Sequence, residues 1–186
     1  MWVFLLQFLL LFAIFITGVV SRNQTLLKKW NFTCHCRLCS DPTEGGSYFS
    51  AIKCDECEGM MLPQMSADTW VCDKCQARQQ PAVDMDKFEG DFLRDLHAMA
   101  DKAVQTASFH ICQTAREVLM QKLHANHYII IGLENRMVRM PNAPKDEIPA
   151  LVNHIIQVRQ QLDPFFHQTK AFHLLQNLLK GSLQGS

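Results

Sequence analysis

The chain has 186 residues, enough for one ordinary domain or two small ones. Lys plus Arg and Asp plus Glu are 18 each, so the formal charge is zero and no long-range field is available to steer nucleic acid. Apolar residues make up 48%, ordinary for a globular chain, but eight cysteines are many for this length.

Residues 1–20 carry no charge. A stretch of about 20 apolar residues can cross a bilayer or serve as a secretory signal. No basic residue precedes it; Val19-Val20-Ser21 offers small residues for cleavage, and Arg22 is the first charge. The sequons Asn23-Gln24-Thr25 and Asn31-Phe32-Thr33 follow, and matter only in a secretory lumen. The expected organisation is an apolar leader over 1–20, a cysteine-rich module over 21–80, a helical domain over 82–180 and a polar tail over 181–186.

In the module, Cys34, Cys36 and Cys39 form a C-x-C-x2-C triplet. The turn signals Asp41-Pro42 and Gly45-Gly46 follow. Cys54-x2-Cys57 and Cys72-x2-Cys75 are two knuckles. Two thiolates of a C-x2-C turn reach one ion, and two such turns complete a tetrahedral four-sulfur site. Structural zinc is the expected occupant, held by Cys54, Cys57, Cys72 and Cys75. Disulfides are the alternative, and they require export. The triplet thiolates are poorly spaced to pair with each other and well spaced for one metal. His35, between two of them, is expected to point away. Cys112 stands alone in an apolar helical stretch and reads as a small buried hydrophobe rather than a fourth ligand.

Five helices are expected next. Phe88, Phe92, Leu96, Met99 and Ala103 repeat at helical spacing. A second helix runs from Phe109 to Leu123. A third is capped by Asn126 and passes through Tyr128, Ile131, Leu133 and Met137 to a stop before Pro141. Asp146-Glu147 opens a fourth, with Ile148, Leu151, Val152, Ile155 and Ile156 as its stripe. The fifth spans Thr169 to Leu179. The histidines at 97 and 110 have no chemical role to fill, and His124 and His127 mark a helix start. The expected fold is mostly α: a small irregular zinc-bound module, then antiparallel helices in a bundle or repeat-like array.

"LLKKWNFTCHCRLCSDPTE", then "GSYFSAIKCDEC" with "TWVCDKC", then "LHANHYIIIGL", occur in that order. Together they resemble the post-SET segment and C-terminal helical domain of the SMYD proteins, SET and MYND domain lysine methyltransferases. The likeness is to the arthropod SmydA/msta-like branch and covers residues 17–180. It implies a TPR-like C-terminal domain, S-adenosylmethionine as cofactor, and a histone or other protein as substrate. It also implies that Cys34, Cys36 and Cys39 share zinc with a cysteine of the SET core. Phe32 matches the aromatic residue that packs on the cofactor adenine; the alternative is that Phe32 plugs the small core beside the zinc.

The departures from the family are large. The chain lacks the Asn-His-Ser-Cys stretch of the SET core and the MYND cysteine/histidine cluster. The lysine-channel tyrosine would fall near Phe12 or Ala13. Three readings follow. The chain is the inactive post-SET and C-terminal part of a larger enzyme; or it is a zinc-clipped helical module that binds a protein partner; or it is anchored in a membrane or exported through residues 1–20. The family resemblance implies a cytoplasmic or nuclear location, and the leader implies the membrane or secretory pathway.

Overall fold

The computed structural model describes residues 18–64, 69–79 and 91–183, with the side chains of 91–94, 96, 97 and 183 outside that description. Helix α1 (Val19–Trp30) leads into the short α2 (Arg37–Ser40). Strands β1 (Ile52–Lys53), β2 (Met60–Gln64), β3 (Thr69–Cys72) and β4 (Arg78–Gln79) form an antiparallel sheet in that order. Helices α3 (Asp91–Gln105), α4 (Phe109–Lys122), α5 (Tyr128–Met137), α6 (Ile148–Leu162) and α7 (Lys170–Leu183) follow. Each of these helices packs on the next, and α3 also packs on α5. The mostly α fold with a small cysteine module is as expected. The sheet inside that module was not anticipated.

The apolar stripes read from the sequence are the core. Leu151, Val152 and Ile155 of α6 are buried with Phe109, Leu119, Ile131 and Leu133, and Cys112 is fully buried among them. Met137 is buried, and Met99, Met120 and Met140 pack against the same core. Ala103 is buried as its periodicity predicts, whereas the Phe88, Phe92 and Leu96 positions of that stripe lie outside the described side chains. Ser108 caps α4, its hydroxyl accepting from the Ile111 amide. The cap of α5 is His127, one residue later than expected; its Nδ1 accepts from the Ile129 amide at 3.3 Å.

Asn126 is occupied elsewhere. Its Nδ2 donates to the Ser47 carbonyl at 2.9 Å, and its Oδ1 lies 3.0 Å from His154 Nε2. His154 Nδ1 sits 2.7 Å from the buried Glu134 carboxylate, which also accepts from Arg116 Nε at 2.6 Å. Asn126 therefore belongs to a seam that joins the cysteine module to the helices. In the same seam the Tyr128 amide donates to Phe49 C=O, the His124 amide donates to Ala51 C=O, and Leu123 bridges Ile52.

His124 carries a pH prediction. Its ring lies against Tyr48, centroids 5.0 Å apart, and its Nδ1 accepts from the Asn126 amide at 3.1 Å. Burial, then the charges of His154 and Lys53, lower its pKa from the ordinary 6.5. The folded chain thus favours the neutral ring, while the unfolded chain takes a proton near 6.5. The resulting stability is complete above pH 6.5 and falls as pH drops toward the depressed folded value. At fixed metal saturation, His124→Asn should show a shallower loss of denaturation midpoint between pH 7 and 5 than the parent chain. Equal slopes would remove His124 from the account.

The expectation of a membrane anchor is corrected for the part of residues 1–20 that the structure describes. Among the described residues no helix is long and apolar enough to cross a membrane. The last apolar pair of the stretch, Val19 and Val20, is 1% and 7% exposed. It opens a helix that goes on through Arg22, Lys28 and Lys29. The pair is buried against Met61, Trp70 and Cys72 of the sheet. Asn23, head of the first sequon, is buried in α1, a poor place for a glycan. Residues 1–17 lie outside the described residues.

Gly18 is where α1 meets both halves of the molecule. A Cβ there would lie 2.3 Å from Ser50 Oγ and 2.9 Å from the Tyr128 ring. The close approach lets the Ser50 hydroxyl accept from the first helical amide, Val19, at 2.9 Å.

Candidate metal centres

Strand pairing brings the two knuckles together. β2 and β3 are in register from Met61↔Cys72 to Gln64↔Thr69, so the turn after β1 and the turn after β3 lie side by side. The Sγ atoms of Cys54, Cys57, Cys72 and Cys75 all fall within 4.8 Å of one another. Cys54 and Cys75 are 3.7 Å apart, and Cys57 and Cys72 3.5 Å. A tetrahedron of Zn–S bonds of about 2.3 Å has S···S edges of about 3.8 Å. The two close pairs match edges of that tetrahedron, so the four sulfurs could hold a zinc ion. All eight cysteines are free thiols.

Backbone amides are already aimed at the sulfurs. Glu56 N–H donates to Cys54 Sγ at 3.4 Å, Gly59 N–H to Cys57 Sγ at 3.2 Å, and Lys74 N–H to Cys72 Sγ at 3.4 Å. Such bonds stabilise thiolates. Burial works against ionisation of Cys72, but the amides of Cys75 and Lys74 and the neighbouring thiols outweigh it and bring its pKa to about 7. Cys75 receives help from the Ala77 amide, yet the thiols of Cys57, Cys72 and Cys54 hold it protonated up to about 12. Zinc binds thiolates, so metal binding here displaces protons.

Gly59 was not foreseen as part of this site. A Cβ on it would lie 2.6 Å from Cys72 Sγ and 2.8 Å from Asp73 Oδ1, the oxygen that accepts from the Met60 amide. Gly59→Ala should therefore weaken zinc binding about tenfold or more, as changes around ligands do. Competition with a chromophoric chelator reads this directly; unchanged affinity would mean that the turn shifts without cost. The sequence signal was a glycine two places after a knuckle cysteine.

The triplet is built differently. Helix α1 ends in a left-handed Asn31, φ 49°, with its amide bonded to Leu27 C=O and that of Phe32 to Leu26 C=O. This turn sends the chain past Trp30 and Phe32, 47% and 53% exposed, into Cys34. Cys34, Cys36 and Cys39 bring their Sγ atoms within 4.8 Å of one another. Among the described residues no fourth His, Cys, Asp or Glu joins them. His35 is exposed, and Cys112 lies in the helical core. Phe32 does not plug the core beside the cysteines, since more than half of it faces outward.

Arg22 and Glu44 support the triplet from inside. Arg22 Nε lies 3.4 Å from Cys39 Sγ, and its Nη2 is 3.2 Å from Glu44 Oε1. Both side chains are buried. The Asp41 carboxylate accepts from the Thr43 and Gly45 amides and folds the turn that delivers Glu44, itself at φ 51°. Burial pushes the Cys39 thiol up to about 12, with Arg22 pulling the other way. In Cys36, burial also raises the pKa, but the Cys39 amide and the neighbouring sulfurs bring it below its ordinary value. The three sulfurs could hold a cation with a fourth coordination position left open among the described residues, and the Arg22 guanidinium, itself a donor and no ligand, steadies Cys39 from behind.

No family model matches the chain. It is 25% identical over 175 residues to the SET domain-containing protein SmydA-8, isoform A, of Drosophila melanogaster, covering 90% of this chain and 37% of that protein. It is 24% identical over 181 residues to isoform B, covering 93% of this chain and 40% of that protein. The chain thus spans well under half the length of the curated relatives it matches.

Proposed function

We propose that this chain, a distant SMYD-like relative of SET domain-containing proteins, is the post-SET and C-terminal helical part of such a protein. In this reading Cys54, Cys57, Cys72 and Cys75 hold a closed structural zinc. Cys34, Cys36 and Cys39 hold a second zinc whose fourth ligand comes from a preceding SET domain. Zinc supplies folding energy at both sites, and no reaction step at either. Residues 21–80 form the cysteine module and residues 82–180 the helical domain.

The observation that carries the reading is the pairing of an incomplete three-sulfur site with exposed aromatics beside it. Leu27, Trp30 and Phe32 are all exposed on the approach to Cys34. An apolar patch next to an open metal position suits a docked domain. There Phe32 would meet the adenine of S-adenosylmethionine, and the complete protein would transfer a methyl group to lysine of a protein substrate. Lysine methylation needs a bound donor and an aligned amine. This chain's own residues supply one wall of the donor site and neither reacting group.

The test compares this chain with the same chain fused behind the SET domain of SmydA-8. Calorimetry with S-adenosylmethionine should give no saturable heat for the chain alone and saturable binding for the fusion, weakened by Phe32→Ala. Saturable binding by the chain alone would contradict the reading. So would a fusion whose affinity is indifferent to Phe32.

A further inference from the structure

The far end of the helical array holds a groove remote in sequence from both cysteine clusters. A cavity of about 500 Å³ is lined by Ile148 at the start of α6, by Leu174, Leu178 and Gly181 along α7, and by Arg139 and Lys145 from the α5–α6 connection. That volume is in the range of ligand sites. Residues 174, 178 and 181 follow i, i+4, i+7 spacing and so make one stripe about 10 Å long on α7. Leu174 is 57% exposed. A Cβ on Gly181 would meet nothing within 4 Å, so the groove stays open at that end.

The charge of the lining is one-sided. Arg139 and Lys145 are both exposed cations, and no carboxylate is among the residues that line the cavity. One of the five guanidinium donors of Arg139 is used, donating to Asn135 C=O at 2.9 Å. The groove therefore suits a ligand with apolar side chains on one face and carboxylates beside them. An acyl chain laid in it would remain half in water, because Leu174 forms an open wall. A helix would cover that wall from outside.

We propose that this groove docks an acidic amphipathic helix of a protein partner, with apolar side chains over Leu174 and Leu178 and carboxylates against Arg139 and Lys145. Helix-in-groove recognition reads its partner through i, i+4, i+7 anchors, and rim charges set which partners are accepted. The site is independent of the zinc assignments and of any methyl transfer.

The test uses the full chain, zinc-loaded, and a labelled peptide with leucines at i, i+4 and i+7 flanked by glutamates. Its counterpart carries lysine at every glutamate position. Fluorescence anisotropy at low salt should show saturable binding of the acidic peptide and binding about tenfold weaker or more for the basic one. Leu174→Asp should weaken the acidic peptide to a similar degree. Arg139→Glu with Lys145→Glu should reverse the preference between the two peptides. All three positions lie at the surface, and circular dichroism confirms that the variants fold. Equal binding of both peptides would overturn the proposal, as would indifference to the substitutions or the absence of saturable binding. Displacement of the peptide by dodecanoate at concentrations below its micelle point would also overturn it, and would assign the groove to acyl chains.

Discussion

Serine in place of Cys72 is expected to remove one zinc per chain and unfold the sheet around it. Cys72 is fully buried at the end of β3, where burial is outweighed by backbone amides that bring its pKa down to about 7. A serine hydroxyl cannot supply a thiolate. The sheet has little else to hold it. Its core is Val19, Val20, Met61 and Trp70 with two of the cysteines themselves, Cys39 and Cys72. Its strands are two to five residues long, and small sheets of that kind are marginal without support. A structural zinc supplies about 10–16 kcal/mol of binding free energy that a metal-dependent fold uses as folding energy. The helices have a separate core of Leu119, Ile131, Val152 and Ile155 and should keep their helical circular dichroism. Metal analysis should fall by one equivalent, and the emission of buried Trp70 should move to the red. Unchanged zinc content with unchanged emission would remove the four-cysteine site from the account.

Arg22→Leu is expected to cost about 3–5 kcal/mol, the range for removing one partner of a buried ion pair. Glu44 would be left fully buried without its cation, and Cys39 would lose its guanidinium contact. Burial already pushes the Glu44 carboxyl above its ordinary value, against the Ser50 hydroxyl and the Arg22 charge. The loss should therefore fall largely on the carboxylate. Arg22→Leu with Glu44→Leu should be less damaging than Arg22→Leu alone, since both charges then leave together. Denaturant midpoints of the parent, both single variants and the double variant measure this coupling. Additive losses would mean that the two residues stabilise the fold separately.

What is legible in the sequence follows from how local each signal is. The C-x2-C knuckles announce their own geometry, because each pair is set by one turn and only the match of two turns is left to the fold. The stripes over Leu151, Val152 and Ile155 and the burial of Cys112 follow from helical periodicity alone. The sheet is not legible in the sequence, because its strands are short and β2, Met60–Gln64, contains Pro63 and no alternation of apolar and polar residues. Apolar character over 1–20 says nothing of what covers it; Val19 and Val20 are covered by the cysteine module. Arg22 and Glu44 stand 22 positions apart with no pattern between them. Asn126 looked like a helix cap because its residue type is right, but a carbonyl 79 positions away and a histidine on another helix hold it. Gly59 was legible only as a glycine near a knuckle, until its distance to Cys72 gave it a reason.

Among the described residues one candidate metal site is complete and the other is not. Cobalt substitution tests it most directly, because the visible and near-ultraviolet spectrum of Co(II) reports how many thiolates bind each ion. The account predicts two cobalt ions per chain: the first bound by four thiolates, the second by three thiolates and an exchangeable oxygen or nitrogen donor, with neither changed by Cys112→Ala. A second ion bound by four thiolates in the isolated chain, or a spectrum that changes with Cys112→Ala, would contradict it.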